Sequence, residues 1–299
     1  MENFIGTIIK NIRQSKGVTQ KELANKLCSV RQLSRIEMNI SSPTSYLISE
    51  ISSRLGNDLL DYLPYTDDPN AYHVKNEIDR IMRYYHLDKY ELVLEMLENS
   101  PDINQASSKY AKQEIAWLYG AISNYVVIPF TIAENYYVKL LLDVYAFDTL
   151  DEIFTVPLRA VDYRILNSLI VFYLKEGNFD YAELLMIKAI ENIEMTHNSI
   201  REMSYLRFIY NLSRLYLTLD KSQMALHYSK KGLDYCLNSG TLSYLADLSN
   251  IHGRALYELG DKENYSKFLE TYITLSRIID PSFKYEETIV RLKEKYDIQ

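Results

Sequence analysis

The stretch that most restricts how this chain can fold is Thr19 to Glu37, TQKELANKLCSVRQLSRIE. Thr19 and Glu22 have capping-box spacing: the threonine hydroxyl can accept from the amide near Glu22, and the Glu22 carboxylate can return to the amide of residue 19. A helix therefore starts at Thr19, with Leu23, Ala24 and Leu27 along its apolar side. The pattern restarts after a tight joint at Cys28 and Ser29. There Ser29 can serve as N-cap, while Leu33 and Ile36 supply the buried side. The opposite side presents Arg31, Gln32 and Arg35. Their planar, forked hydrogen-bonding groups can meet guanine or adenine edges in a major groove. Taken singly, each also fits an ordinary solvated helix face.

The surroundings make the pattern more specific. Asn3 to Lys16 gives a preceding helix, Thr44 to Leu55 a following one entered through Ser41-Ser42-Pro43, and Asp58 to Leu63 a short fifth. This five-helix run resembles the helix-turn-helix domain of the lambda-repressor/Cro-like family. Thr19-Gln20 opens its second helix, Ser29 to Arg35 forms its third, and Arg35-Ile36-Glu37 closes that third helix.

The 299 residues suffice for two domains with sizeable cores. With 47% apolar residues, only 9 glycines and 7 prolines, and helical periodicity throughout, the expected fold class is all-α. No run of about 18 uncharged apolar residues appears, and the start of the chain has no secretory-signal pattern. A cytoplasmic protein without a membrane span is expected. Cys28 and Cys236 form no disulfide framework or zinc spacing and read as buried free thiols. The net charge of −7 is unevenly placed. Through Tyr65, eight Lys/Arg face six acids, giving +2, so the remainder carries −9. A mildly basic head on an acidic body fits phosphate contact at one end. So small an excess predicts weak binding by one copy and favours a homodimer on a twofold site.

The organisation expected is a head over residues 1–63, a short stiff linker over 64–71 and a helical body over 72–299. The linker rests on Pro64 to Asn70, where two prolines and two acids oppose helix continuation. Helical patterns follow at Tyr72 to His86, Lys89 to Glu98, Ile103 to Val127, Ile132 to Phe147, Leu158 to Lys175 and Tyr181 to Met195. They continue at Ile200 to Leu219, Gln223 to Asn238, Leu242 to Leu259, Glu263 to Ile279 and from Tyr285. The segment Phe172 to Ala182 resembles Leu215 to Ala225 and, less closely, Ala255 to Tyr265, at offsets of 43 and 40. Two helices per period indicate a degenerate tetratricopeptide-like solenoid, although HEAT-like pairs have similar periods. In that register Asn124, Asn167, Asn211 and Asn250 recur at steps of 43, 44 and 39. Asparagine is a mediocre helix former, so its return asks for a reason. A row of side-chain amides can grip the backbone of an extended peptide. It can equally tie neighbouring helices together. Arg164 accompanies Asn167, Arg207 and Arg214 flank Asn211, and Arg254 follows Asn250 at helical spacing. These arginines suit a peptide carboxylate, or internal pairing with Asp162, Glu202 or Asp247. Tyr173, Tyr210 and Tyr257 can line apolar pockets or pack between helices.

A Cro-like head, short linker and degenerate tetratricopeptide body with inner asparagines resembles the peptide-responsive cytoplasmic quorum-sensing regulators of Gram-positive bacteria, the PlcR, PrgX, Rgg and ComR types. The resemblance implies a transcription regulator that dimerises mainly through its body. It further implies a short signalling peptide bound on the concave face that changes how the paired heads sit on double-stranded DNA. Carried onto this sequence, it makes Gln20, Ser29, Val30, Arg31, Gln32 and Arg35 DNA candidates, with Thr44 a phosphate contact. Asn124, Asn167, Asn211 and Asn250 become peptide candidates, joined by the neighbouring arginines. A DNA-bound repressor whose solenoid grips a protein, with no peptide signal, remains the alternative. No enzyme is expected. The chain lacks a Gly-rich phosphate loop, nucleophile elbow, HExxH or Cys/His metal spacing, and its histidines are scattered singly, so neither cofactor nor metal is anticipated.

Overall fold

A computed structural model describes residues 3–123, 130–196, 202–279 and 287–288. Every regular element among the described residues is helical, and the chain divides into two compact units, Met1–Ala146 and Phe147–Gln299. The all-α expectation holds.

The first unit begins with α1 (Ile5–Ser15), α2 (Gln20–Ala24), α3 (Val30–Glu37), α4 (Ser45–Leu55) and a 3-10 helix, Leu59–Tyr65. Their starts follow the sequence signals. Thr19 and Glu22 form the capping box, Ser29 Oγ accepts from Gln32 N at 3.1 Å, and Thr44 Oγ1 accepts from Leu47 N at 3.2 Å. The short fifth helix is a 3-10 turn begun by Asp58, whose carboxylate accepts from Leu60 N. Ile8, Ile9, Ile12, Leu33, Ile36 and Ile51 form the buried centre. Gly6 lets α1 approach α3, since a Cβ there would lie 1.7 Å from the Ile36 carbonyl oxygen.

A polar lock sits at the edge of this core. Arg13 meets Glu37 in a two-pronged contact, Nε to Oε1 at 2.6 Å and Nη2 to Oε2 at 2.8 Å, and its Nη1 donates to Val18 O. Gln20 Nε2 donates to the same carboxylate at 2.7 Å. One buried carboxylate thus joins α1, the start of α2 and the end of α3. Charge-assisted, bidentate geometry makes this a specific pin rather than a generic ion pair.

The unit continues with α5 (Ala71–Tyr85), α6 (Tyr90–Asn99), α7 (Pro101–Asn104), α8 (Lys109–Ser123) and α9 (Phe130–Tyr145). The pattern expected from Ile103 to Val127 as one helix is broken between α7 and α8. The cause is Asp68, fully buried in the segment before α5. Its carboxylate accepts from Ser107 N at 2.7 Å, Ser108 N at 3.1 Å and Asn70 N at 2.7 Å. The stretch expected as a stiff joint is also fastened elsewhere: Phe4 N donates to Thr66 O, and Tyr65 is buried with its hydroxyl on Glu114.

The second unit carries a 3-10 helix, Leu150–Thr155, then α10 (Ala160–Lys175), α11 (Phe179–Thr196), α12 (Glu202–Thr218), α13 (Ser222–Ser239), α14 (Leu245–Glu258) and α15 (Lys262–Ile279). These are three helical hairpins, with α12 packed on α10 and α14 as well as on α11 and α13. The repeat register has a backbone cause. Gly177, Asp220 and Gly260, at equivalent joint positions, all have positive φ. One residue later Asn178 N donates to Tyr173 O, Lys221 N to Tyr216 O and Asp261 N to Leu256 O, closing each first helix in the same way. Asp88 and Lys89 repeat the device between α5 and α6, without a glycine to announce it. The last hairpin starts later than its sequence pattern because Tyr244 turns left-handed ahead of α14.

Removing the Glu37 carboxylate strands a buried guanidinium. Glu37→Ala is expected to cost about 3–5 kcal/mol of head stability, while Arg13→Met combined with Glu37→Leu should recover most of it. Equal thermal denaturation of Glu37→Ala and the parent protein would refute the lock. A second expectation concerns Asp68. Burial alone would raise its carboxyl, but the amides of Ser107, Ser108 and Asn70 outweigh that and hold it below the usual range. Its contribution, about 1–3 kcal/mol, is present above the unfolded value near 4 and fades as pH falls through the lower folded value. The melting difference between Asp68→Ala and the parent should therefore shrink on acidification below about pH 4.

Candidate nucleic-acid interface and inner-helix site

The lock leaves one face of α3 free. Ser29, Val30, Arg31, Gln32 and Arg35 are exposed together at its start and along its outer side, while Leu33, Ile36 and Glu37 are buried. Arg31 and Arg35 stand one turn apart on that face, the placement a groove-reading helix needs. Thr44 is exposed at the N-terminus of α4, where free amides favour an anion. Gln20 is half-buried and its amide nitrogen donates one hydrogen to Glu37, leaving its second N–H and its carbonyl oxygen for another partner.

Not every head cation belongs to this surface. Arg13 is held by Glu37, the Lys16 ammonium donates to Leu55 O, and Arg54 Nη1 donates to Leu23 O and Asn25 O. Lys10, Lys21, Lys26, Arg31 and Arg35 are exposed. Tyr46, two residues after Thr44 in the first turn of α4, is 65% exposed. Sequence periodicity gave no reason to select it, because a tyrosine in the first turn of a helix reads equally as packing.

The inner-helix candidates divide. Asn124 lies outside the described residues. Asn211, 8% exposed on α12, donates from Nδ2 to Asn167 Oδ1 on α10 at 2.9 Å. The helix-tying role is thus real for this pair. It also leaves Asn167 Nδ2 and Asn211 Oδ1 without partners among the described residues, a donor and an acceptor complementary to one peptide unit. Asn250 is half-buried on α14. Asn192, which the register did not single out, is a purely structural contrast. It accepts from Tyr163 OH at 2.7 Å and donates to Phe154 O and Val156 O.

Arg207 Nε donates to Tyr244 OH at 3.2 Å, and Tyr244 lies 5.4 Å from Tyr210, ring centre to ring centre. Exposed Arg214 sits 5.7 Å from the centre of the Tyr210 ring. Arg164 and Arg254 are half-buried on α10 and α14. Asp162, an internal partner considered for the arginines, is fully buried and bound by Arg159. Tyr173 and Tyr257 pack edge-to-face on Tyr181 and Tyr265 across their joints. Cys236 is buried, whereas Cys28 is only half-buried, a correction to its expected burial: the α2–α3 joint leaves one side of it open. Among the described residues no His/Cys/Asp/Glu group could hold a metal ion, and no helix is long and apolar enough to cross a membrane.

The Helix-turn-helix family model matches residues 9–61. No curated protein matches the chain. Among solved structures, PlcR of Bacillus thuringiensis in complex with the peptide PapR7 and DNA aligns with a TM-score of 0.72 at 17% identity, covering 93% of this chain and 95% of that one. ComR of S. thermophilus, in complex with DNA and its signalling peptide ComS, aligns at 0.56 and 18%, covering 98% and 100%. The SHP pheromone receptor Rgg2 of Streptococcus dysgalactiae aligns at 0.56 and 14%, covering 97% and 99%. Residues 9–61 are a helix-turn-helix domain, and the chain as a whole has the fold of PlcR, ComR and Rgg2.

Proposed function

We propose that this protein is a sequence-specific, DNA-binding transcription regulator, acting in the cytoplasm as a homodimer, whose helical body binds a short signalling peptide. The observation that carries the reading is a fold shared along nearly the whole chain with proteins captured on both DNA and peptide. In this reading residues 1–63 are the DNA-binding head, 64–71 the joint, and 72–299 the peptide-binding and dimerising body. Gln20, Ser29, Val30, Arg31, Gln32 and Arg35 meet the major groove, and Thr44 meets a phosphate. The local chemistry supports this division. An α3 held rigidly by Arg13 and Glu37 can present Arg31 and Arg35 without ordering them anew on binding.

Three of the eight basic head residues donate to groups within the head, so a single copy neutralises few phosphates. Pairing two heads raises affinity without adding contacts per copy. A ligand on the body then controls DNA binding by biasing how the heads pair, provided it binds one arrangement better than the other. The Asn167–Asn211 pair supports peptide binding through its remaining donor and acceptor, with Asn250, Arg164, Arg207, Arg214 and Arg254 around it and Asn124 retained as a further contact.

Two expectations test the output and the input separately. Arg31→Ala and Arg35→Ala should each weaken specific operator binding by about 1–3 kcal/mol in gel-shift titrations at fixed salt; undiminished binding by both would remove them as base readers. Operator binding by the parent protein should respond to secreted-type peptides encoded by a neighbouring short reading frame. In Asn167→Ala/Asn211→Ala that response should disappear while binding without peptide persists, and an unchanged response would remove the asparagines from the peptide site.

A further inference from the structure

Several cations of the second unit are paired with carboxylates: Lys188 with Asp151 at 2.8 Å, Lys221 with Glu183 at 3.3 Å and Lys231 with Glu194 at 2.7 Å. Arg207 and Arg214, on α12, make no ion pair among the described residues. The second unit holds 22 Asp/Glu against 18 Lys/Arg, so carboxylates are not scarce. Two guanidinium groups kept from internal partners in an acidic body leave positive charge for something else.

The geometry is selective. Arg207, Tyr210, Asn211 and Arg214 fall at positions i, i+3, i+4 and i+7 of one helix, so they share a face, and the two arginines are about 10 Å apart along the axis. Tyr244 holds Arg207 by its Nε edge, leaving the Nη1 and Nη2 edge for a two-pronged carboxylate contact. Tyr244 reaches this place from a left-handed backbone with φ of 59°, a conformation uncommon for a bulky side chain. The Tyr210 ring lies 5.4 Å from that of Tyr244 and 5.7 Å from the Arg214 guanidinium. Beside Tyr244 a cavity of about 340 Å³ has a mixed lining, Leu242, Ala246, Tyr272 and Ile279 together with Ser243, Asp247 and Ser276.

We infer that the α12 face reads two negative charges on the bound peptide, the terminal carboxylate and an acidic side chain about three residues before it, with Tyr244 as the residue that positions Arg207. An extended chain advances about 3.3 Å per residue, so three residues span the separation of the two arginines. The inference rests on the peptide reading above and gives it a ligand class: a short acidic peptide with a free C-terminus.

The test is affinity selection with full-length protein from a mixture of synthetic heptapeptides, apolar except for one Glu or Gln placed at each position in turn, with free or amidated C-termini. Retained peptides are identified by mass spectrometry. The expected result is enrichment of free-acid peptides with Glu about three residues from the end. Arg207→Gln and Arg214→Gln should each lower affinity about tenfold or more, each abolishing discrimination at one of the two carboxylates. Arg207→Lys should keep the preference for charge, and Tyr244→Phe should weaken binding severalfold without removing that preference. Peptides retained regardless of charge would overturn the two-carboxylate inference and leave the peptide reading intact. An affinity loss in the Gln variants with unchanged selectivity would also overturn it, since a merely structural role acts that way. Failure to retain any peptide would bring down both.

Discussion

The interaction on which the head depends is the contact of Arg13 with Glu37. A helix of only eight residues, as α3 is, has little independent stability, since helices this short are marginal in water. Apolar burial of Leu33 and Ile36 turns its apolar side to the core. The two-pronged guanidinium contact tightens that setting, because both carboxylate oxygens of Glu37 are held at once. Gln20 extends the restraint to α2. Arg31 and Arg35 are therefore aimed by a residue on their own helix that never reaches the surface. An ion pair this buried is a costly way to obtain stability, so its return here is orientation.

The second unit solves a different problem with repetition. Each hairpin needs its first helix to stop and reverse within a few residues, and Gly177, Asp220 and Gly260 supply the left-handed turn at the same register position. Aspartate tolerates that conformation better than most side chains, which explains how Asp220 stands where two repeats have glycine. With the reversals fixed, α12 is placed between α10 and α14, and residues 44 apart, Asn167 and Asn211, come within hydrogen-bonding distance. The asparagine recurrence and the repeat spacing thus share one geometric origin.

What the sequence disclosed depended on the range of the interaction. Thr19 with Glu22, Ser29 with Gln32 and Thr44 with Leu47 act within one turn, so their caps were legible from spacing alone. The exposed face of α3 followed from the same short-range pattern. The Arg13–Glu37 lock joins residues 24 apart, and periodicity marked Glu37 only as the end of a helix. The clue was a charged residue one position after Ile36, on the side of α3 that also buries Leu33. Asp68 shows the same limit. Nothing between Ile103 and Val127 contains a strong helix breaker, and the interruption comes from a carboxylate 39 residues earlier that captures the amide of Ser107. Asn167 and Asn211 were found by register, but their mutual bond was not, because register gives a face and not which amide donates.

These restraints leave the two units with unequal unused bonding capacity, which bears on the proposed function. Inside the head the groups that hold α3 are engaged with one another: Arg13 and Gln20 converge on Glu37, and Asn39 exchanges hydrogen bonds with Thr7. Such a unit has little to gain by changing shape. On α12, by contrast, Arg207 is held at one edge only and Arg214 rests on an aromatic face, so each retains hydrogen-bonding capacity that no described residue uses. A ligand shifts a conformational equilibrium only through contacts that differ between states. Under the proposed function, the groups that aim α3 are already committed, so a peptide held on α12 acts without remodelling the exposed face of α3.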